Sequence, residues 1–154
     1  MKTRIFITKS ADQTRALAAR LARCLEPDDC LALSGDFGAG KTTFVQGLAD
    51  GLGFKKKALV SSPSFVIMKI YPGRLPLYHF DLYRLADEKE FEDVGFGEFA
   101  ACGGVTAIEW ADKIKRLLPE NRLDIDFAAL GPQERRLSLA ARGADLKKRI
   151  ARLK

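Results

Sequence analysis

The chain has 154 residues, 47% apolar and 30% charged, enough aliphatic side chains to bury a core, which excludes a disordered chain. Its net charge of +6 sits mostly in residues 142–154 (RGADLKKRIARLK), so the rest is nearly neutral and a nucleic-acid-binding body does not follow from charge. No apolar run approaches the ~20 residues that cross a bilayer. Cys24, Cys30 and Cys102 form no C-x-x-C, and there is one histidine, so the cysteines read as reduced, partly buried thiols rather than zinc ligands.

The N-terminus lacks the apolar stretch and cleavage site of a signal peptide, which predicts a cytoplasmic protein. Ile5-Phe6-Ile7 predicts a first strand. Ser10 with Gln13 fits a capping box, in which Ser10 takes the Gln13 amide and Gln13 reaches back. Leu17, Ala18, Leu21, Ala22 and Leu25 then make one helical stripe, stopped by Pro27. Cys30 to Ser34 is a short apolar run that predicts a buried strand. Phe44, Val45, Leu48, Ala49 and Leu52 return to helical spacing, closed by Gly53.

Phe65–Tyr71 and Leu75–Phe80 flank Pro72-Gly73, a hairpin pattern. Residues 87–101 predict helical pieces broken at Gly95 and Gly97. Gly104–Ile108 predicts another strand, and Ala111–Leu118 a short helix ended by Pro119. Leu123, Ile125 and Phe127 alternate with Asp124 and Asp126, a half-buried strand. After the Gly131-Pro132 turn, Leu137 and Leu139 mark its antiparallel partner. Leu146, Ile150 and Leu153 space a basic tail helix. The expected fold is α/β: a P-loop NTPase-like three-layer fold with a mixed, partly antiparallel central sheet. Residues 1–141 form one expected domain, with 142–154 as its basic tail.

Gly35-Asp36-Phe37-Gly38-Ala39-Gly40-Lys41-Thr42 matches G-x-x-x-x-G-K-[ST], between a predicted strand and a predicted helix. Glycines let backbone N–H groups converge on phosphate, and the helix N-terminus adds a positive dipole end. Lys41 would meet the β- and γ-phosphates, the Thr42 hydroxyl would ligate Mg²⁺, and Thr43 would reach the α-phosphate. A nucleoside triphosphate with Mg²⁺ is the expected ligand, with ATP/ADP as the default because no N-K-x-D guanine motif occurs.

A P-loop enzyme also needs a carboxylate near the metal, at the end of a neighbouring strand. Glu109 follows Val105–Ile108, and Asp81 follows Leu77–Phe80. Either acid could orient the attacking water, and the pattern does not rank them. His79 reads as a packed strand residue. Ser62 and Ser64, about twenty residues after the P-loop, fall where P-loop proteins place a loop that reads the γ-phosphate.

Taken together, Leu33-Ser34-Gly35-Asp36 into Gly38-Ala39-Gly40-Lys41-Thr42-Thr43, Ser62-Pro63-Ser64-Phe65, Leu77-Tyr78-His79-Phe80-Asp81-Leu82-Tyr83-Arg84-Leu85, Glu109-Trp110 and Arg122-Leu123-Asp124-Ile125 resemble the bacterial TsaE (YjeE) family over about residues 4–141. Three positions depart from the family pattern: Ser61 and Ser64 stand where Thr is usual, keeping a hydroxyl, and Ala111 stands where Pro often follows Glu-Trp. The resemblance implies a weak P-loop ATPase of tRNA threonylcarbamoyladenosine biosynthesis, working with TsaB and TsaD and using ATP and Mg²⁺. It implies Lys41, Asp81 and Glu109 as catalytic residues, Thr42 and Glu109 on the metal side, and Ser62 and Ser64 in a switch-like loop. Tyr83, Arg84 and Trp110 are candidates for partner or nucleotide-edge contacts. Contact with tRNA would be indirect or through the basic tail; neither DNA nor a membrane is an expected partner. The competing readings are a small-molecule P-loop kinase and a nucleotide-dependent binding module.

Overall fold

A computed structural model of the chain describes residues 2–63 and 68–154. Seven strands form one mixed sheet in the order β1-β7-β6-β2-β5-β4-β3. They are β1 (Arg4–Thr8), β2 (Cys30–Gly35), β3 (Met68–Tyr71), β4 (Leu77–Asp81), β5 (Val105–Glu109), β6 (Arg122–Ala129) and β7 (Arg135–Arg142). The four inner strands β6, β2, β5 and β4 run parallel; β7 and β3 flank them antiparallel, and β1 pairs antiparallel with β7 at the edge. The α/β fold with a mixed sheet is therefore as the sequence predicts.

Strand alternation divides the core into two layers. Leu31, Leu33, Val105, Ala107, Leu123 and Ile125 pack against α1 (Ala11–Ala22), α2 (Lys41–Gly51) and α5 (Ala144–Ala151). Cys30, Ala32, Phe80 and Ile108 face the other way, against Phe91 of α3 (Glu88–Asp93) and Phe96 of α4 (Phe96–Phe99). Burial in the β2 core pushes the Cys30 thiol up to about 12, so it is an inert packed thiol.

The predicted stripe Leu17, Ala18, Leu21, Ala22 and Leu25 is buried throughout. α1 lies directly on α2: a Cβ at Gly47 would sit 2.2 Å from the Arg15 carbonyl oxygen, and one at Gly51 2.6 Å from that of Ala19. Only glycine permits this approach, which holds α2 and the loop before it down on the sheet. Ser10 caps the Gln13 amide as predicted, at 3.1 Å. Gln13 reaches back to the Lys9 amide instead of that of Ser10, so the reciprocal bond is shifted by one residue.

Several boundaries differ from expectation. β4 begins at Leu77 rather than Leu75, because Pro76 offers no N–H and restricts the residue before it. The predicted hairpin otherwise forms, Tyr71 pairing with Leu77, and residues 64–67 of its first strand lie outside the described residues. Helix breaks at Gly95, whose φ is +81°, but Gly97 lies inside α4. The stretch 111–118 is not an α-helix. A 3₁₀ turn covers Ala111–Ile114, followed by a Leu117 amide to Ile114 carbonyl bond of the same i→i+3 type. Pro119 restricts Leu118 and closes the stretch, as the sequence predicts.

The basic tail is docked. Leu146, Ile150 and Leu153 are buried in the core. Arg149 donates to both Asp29 oxygens, at 2.6 and 2.8 Å, and to the Cys24 carbonyl at 2.7 Å. Asp29 precedes β2, whereas the P-loop follows it, so the tail helix attaches at the opposite end of that strand. No helix among the described residues is long and apolar enough to cross a membrane.

Candidate functional site

β2 ends at Gly35 and α2 begins at Lys41, so the loop between them sits at the C-terminal edge of the parallel strands. Gly38 and Gly40 have φ of +75° and +101°, conformations that side-chain-bearing residues rarely adopt. Gly40 caps α2 without a side chain, leaving the first-turn amides of the helix turned toward the loop. This is an anion cradle by construction.

Alternation along β4 and β5 sets the rest. Leu77 faces the α1–α2 layer and Phe80 the other. His79 and Asp81 therefore share the face of Leu77. On β5, Glu109 shares the face of Val105 and Ala107 and pairs in register with Asp81. Both acids, expected only to end separate strands, thus stand side by side beneath the P-loop. Lys41, His79, Asp81 and Glu109 are all buried, though none has an apolar side chain. Buried charge of this kind persists only where partners satisfy it.

Each group has such a partner. Thr42 Oγ1 donates to Glu109 Oε1 at 2.9 Å. The same oxygen lies 2.8 Å from His79 Nε2. Ser62 Oγ donates to Asp81 Oδ2, and the Tyr83 amide donates to Asp81 Oδ1 at 2.9 Å. Lys41 Nζ donates to the carbonyls of Gly35 and Asp36, at 2.5 and 2.9 Å. Its ammonium stands 4.0 Å from the centroid of the Trp110 ring, a cation–π contact.

Burial lowers the Lys41 pKa, with Glu109 and Asp81 pulling it back up. Burial likewise pushes the Asp81 carboxyl above the usual aspartate range, against the Tyr83 amide, and Glu109 pushes it further up. Removal of water is the largest cause of both shifts, and each favours the uncharged form.

A cleft of about 460 Å³ opens over these groups, lined by Phe37, Lys41, Thr42, Asp81, Glu109 and Trp110 among others. Thr43, Arg84 and Tyr83 also line it. Aromatic rings form its rim: Tyr83 lies 5.2 Å from Trp110 and 6.0 Å from Phe37, centroid to centroid. Phe37 is 83% and Tyr83 48% exposed. Trp110 is held in the left-handed region, φ +60°, which turns its ring over Lys41.

The donor set fits a hard cation arriving with phosphate. It offers a hydroxyl and two carboxylates, the oxygen ligands that Mg²⁺ takes in phosphate sites. No group of three or more His, Cys, Asp or Glu among the described residues could hold an ion alone.

Of the residues singled out from sequence, Phe37, Gly38, Gly40 and Lys41–Thr43 of the P-loop converge on this cleft with Asp81, Glu109, Ser62, Tyr83, Arg84 and Trp110, whereas Ala39 of the loop is buried in the core. Ser64 lies outside the described residues. Two contributors were not foreseen. His79, read as a packing residue, is fully buried and bonded to Glu109; its spacing of two from Asp81 was the available signal. Arg135, at the start of β7, donates to the Gly38 carbonyl at 3.2 Å. Nothing local in the sequence marks Arg135, since β7 reaches the P-loop only through the antiparallel pairing of β6 and β7.

A parallel sheet carrying this loop at its C-terminal edge, with acids on the next strands, defines the P-loop class of α/β proteins. The comparisons narrow the class. The family model described as "Threonylcarbamoyl adenosine biosynthesis protein TsaE" matches residues 8–137. A Bacillus subtilis protein named "tRNA threonylcarbamoyladenosine biosynthesis protein TsaE" is 44% identical over 144 residues, 93% of this chain and 89% of that protein. One of the same name from Treponema pallidum is 38% identical over 134 residues, 87% of this chain and 98% of its own. The crystal structure of Bacillus subtilis YdiB superposes with a TM-score of 0.84 at 37% identity, covering 99% of this chain and 94% of that one. The chain belongs to the TsaE family.

Proposed function

We propose that this protein is the ATPase of a tRNA threonylcarbamoyladenosine-forming machinery, acting in the cytoplasm with homologues of TsaB and TsaD. The observation that carries the reading is the convergence of Lys41, Thr42, Asp81 and Glu109 under one cleft, in a chain of the TsaE family. The names of the relatives supply the pathway; the cleft supplies the chemistry.

In this reading the phosphates lie on the Gly35–Thr43 loop. Lys41 leaves the carbonyls of Gly35 and Asp36 for the β- and γ-phosphates, a short swing of one flexible side chain. Mg²⁺, when bound, neutralises charge on the β- and γ-oxygens. Thr42 keeps its proton on Glu109, leaving its oxygen lone pairs to the metal. Asp81, opposite Glu109 and held by Ser62 and the Tyr83 amide, orients water at the γ-phosphate. Its burial makes it a better proton acceptor than an exposed aspartate. A second cleft, of about 410 Å³, continues past Gly38, Gly40 and Thr43 to Ser10, Gln133 and Arg135, and gives the nucleoside room. Hydrolysis would be slow in the protein alone and faster with partners if a partner orders the site or adds a cation at the γ-phosphate. Any tRNA contact by the tail would fall to the exposed Lys147, Lys148, Arg152 and Lys154, since Arg149 is engaged with Asp29.

Phosphate release from ATP with Mg²⁺ tests this, for the protein alone and with TsaB and TsaD homologues and tRNA. Slow release, accelerated by the partners and lost in Lys41→Ala, is the expected result. Phosphate passing to a small-molecule acceptor instead of water would make the protein a kinase.

A further inference from the structure

His79 is the chain's single histidine, and it is wholly buried on β4 with Nε2 2.8 Å from Glu109 Oε1. Its other ring nitrogen, Nδ1, is buried and has no hydrogen-bond partner among the described residues. A proton on Nδ1 would be a buried donor without an acceptor, whereas a lone pair there costs less. The ring proton therefore belongs on Nε2, aimed at Glu109.

We propose that His79 is the positioning residue of the site, holding Glu109 Oε1 at the one place where it can accept the Thr42 proton. The inference rests on the ATP–Mg²⁺ reading above. Glu109 has two neighbours that could turn it: Lys41, which attracts it electrostatically, and Asp81, which repels it. Thr42 alone gives the carboxylate one short tether, about which it can rotate. The Nε2–H bond adds a second tether to the same oxygen, from a ring that strand packing holds, with Tyr71 at 6.1 Å between centroids. With Oε1 held by two donors, the Thr42 hydroxyl keeps its proton pointed inward and its lone pairs toward the cleft. Outer partners of this kind commonly change metal affinity by roughly 10–100-fold when removed.

The lone histidine makes the test direct. Long-range ¹H–¹⁵N NMR of the nucleotide-free protein reads its tautomer without overlap, and the expected form carries the proton on Nε2. Binding of a fluorescent ATP analogue, with and without Mg²⁺, is then compared for wild type, His79→Leu and His79→Gln. His79→Leu should bind the nucleotide normally without Mg²⁺ and lose roughly 10–100-fold in Mg²⁺ affinity. His79→Gln, which returns an N–H at similar reach, should restore most of it. A proton on Nδ1 overturns the proposal, and that result comes from the wild-type protein even where the leucine variant does not fold. Unchanged Mg²⁺ affinity in His79→Leu overturns it too, leaving the ATP reading intact. No Mg²⁺-dependent nucleotide binding by wild type overturns the ATP reading itself.

Discussion

At the scale of single residues, the site keeps charge where water is scarce and steadies it with paired contacts. Lys41 is held by two carbonyls and the face of Trp110. Trp110 is the only tryptophan, so its emission reports on that contact. Nucleotide that draws Lys41 away should change Trp110 fluorescence with Mg²⁺–ATP in wild type and leave Lys41→Met unchanged. Asp81 shows the cost of the arrangement. Burial raises its pKa, so the folded chain holds the proton more tightly than the unfolded one. Ionised Asp81 therefore weakens the fold above its raised pKa, and the penalty fades as pH falls toward 3.8, the ordinary aspartate value. Asp81→Asn should raise the melting temperature near neutral pH, with the gain shrinking on acidification, while hydrolysis is lost. A gain that stayed constant across this range would contradict burial as its origin.

At the scale of elements, the α1–α2 contact is what seats the P-loop. Helix propensity alone would favour Ala over Gly at position 47 by about 1 kcal/mol. Here the new Cβ would lie 2.2 Å from the Arg15 backbone oxygen and 2.8 Å from the Ala18 Cβ. Such overpacking commonly costs about 1–3 kcal/mol, and a backbone obstacle cannot rotate aside, so the clash wins. Gly47→Ala should lower the urea midpoint of unfolding, whereas propensity alone would raise it. The same contact was half legible beforehand. The apolar stripe of α1 was plain from its spacing, since a helix face repeats locally. That two glycines of α2 meet α1 backbone was not, because close approach is a property of two segments at once.

At the scale of the whole molecule, the cleft over Lys41, Asp81 and Glu109 opens beside exposed rings. Phe37 and Tyr83 lie next to each other on the rim, and neither ring carries a charge that would meet phosphate. Phe37→Ser should leave the affinity for Mg²⁺–ATP nearly unchanged and reduce stimulation of hydrolysis by the partner proteins. Equal stimulation of the variant and wild type would place the partner contact elsewhere. The tail helix, by contrast, is bound to the start of β2 through Arg149 and Asp29, away from this rim. Its charge is thus partly structural, a role that composition could not assign.

The amino-acid sequence by itself determined the P-loop, the strand ending at each acid, the α/β class and the family, because each is written in adjacent residues or short periods. The same local grammar misjudged 111–118, which forms a 3₁₀ turn over Ala111–Ile114 rather than an α-helix. Only the tertiary structure decided that Asp81 and Glu109 stand in register, that His79 tethers Glu109, and that Arg135 reaches Gly38. Those contacts join residues 28 to 97 positions apart in the chain. They exist because parallel pairing and period-two alternation aim distant side chains at one edge of the sheet, and no local pattern records which strands become neighbours.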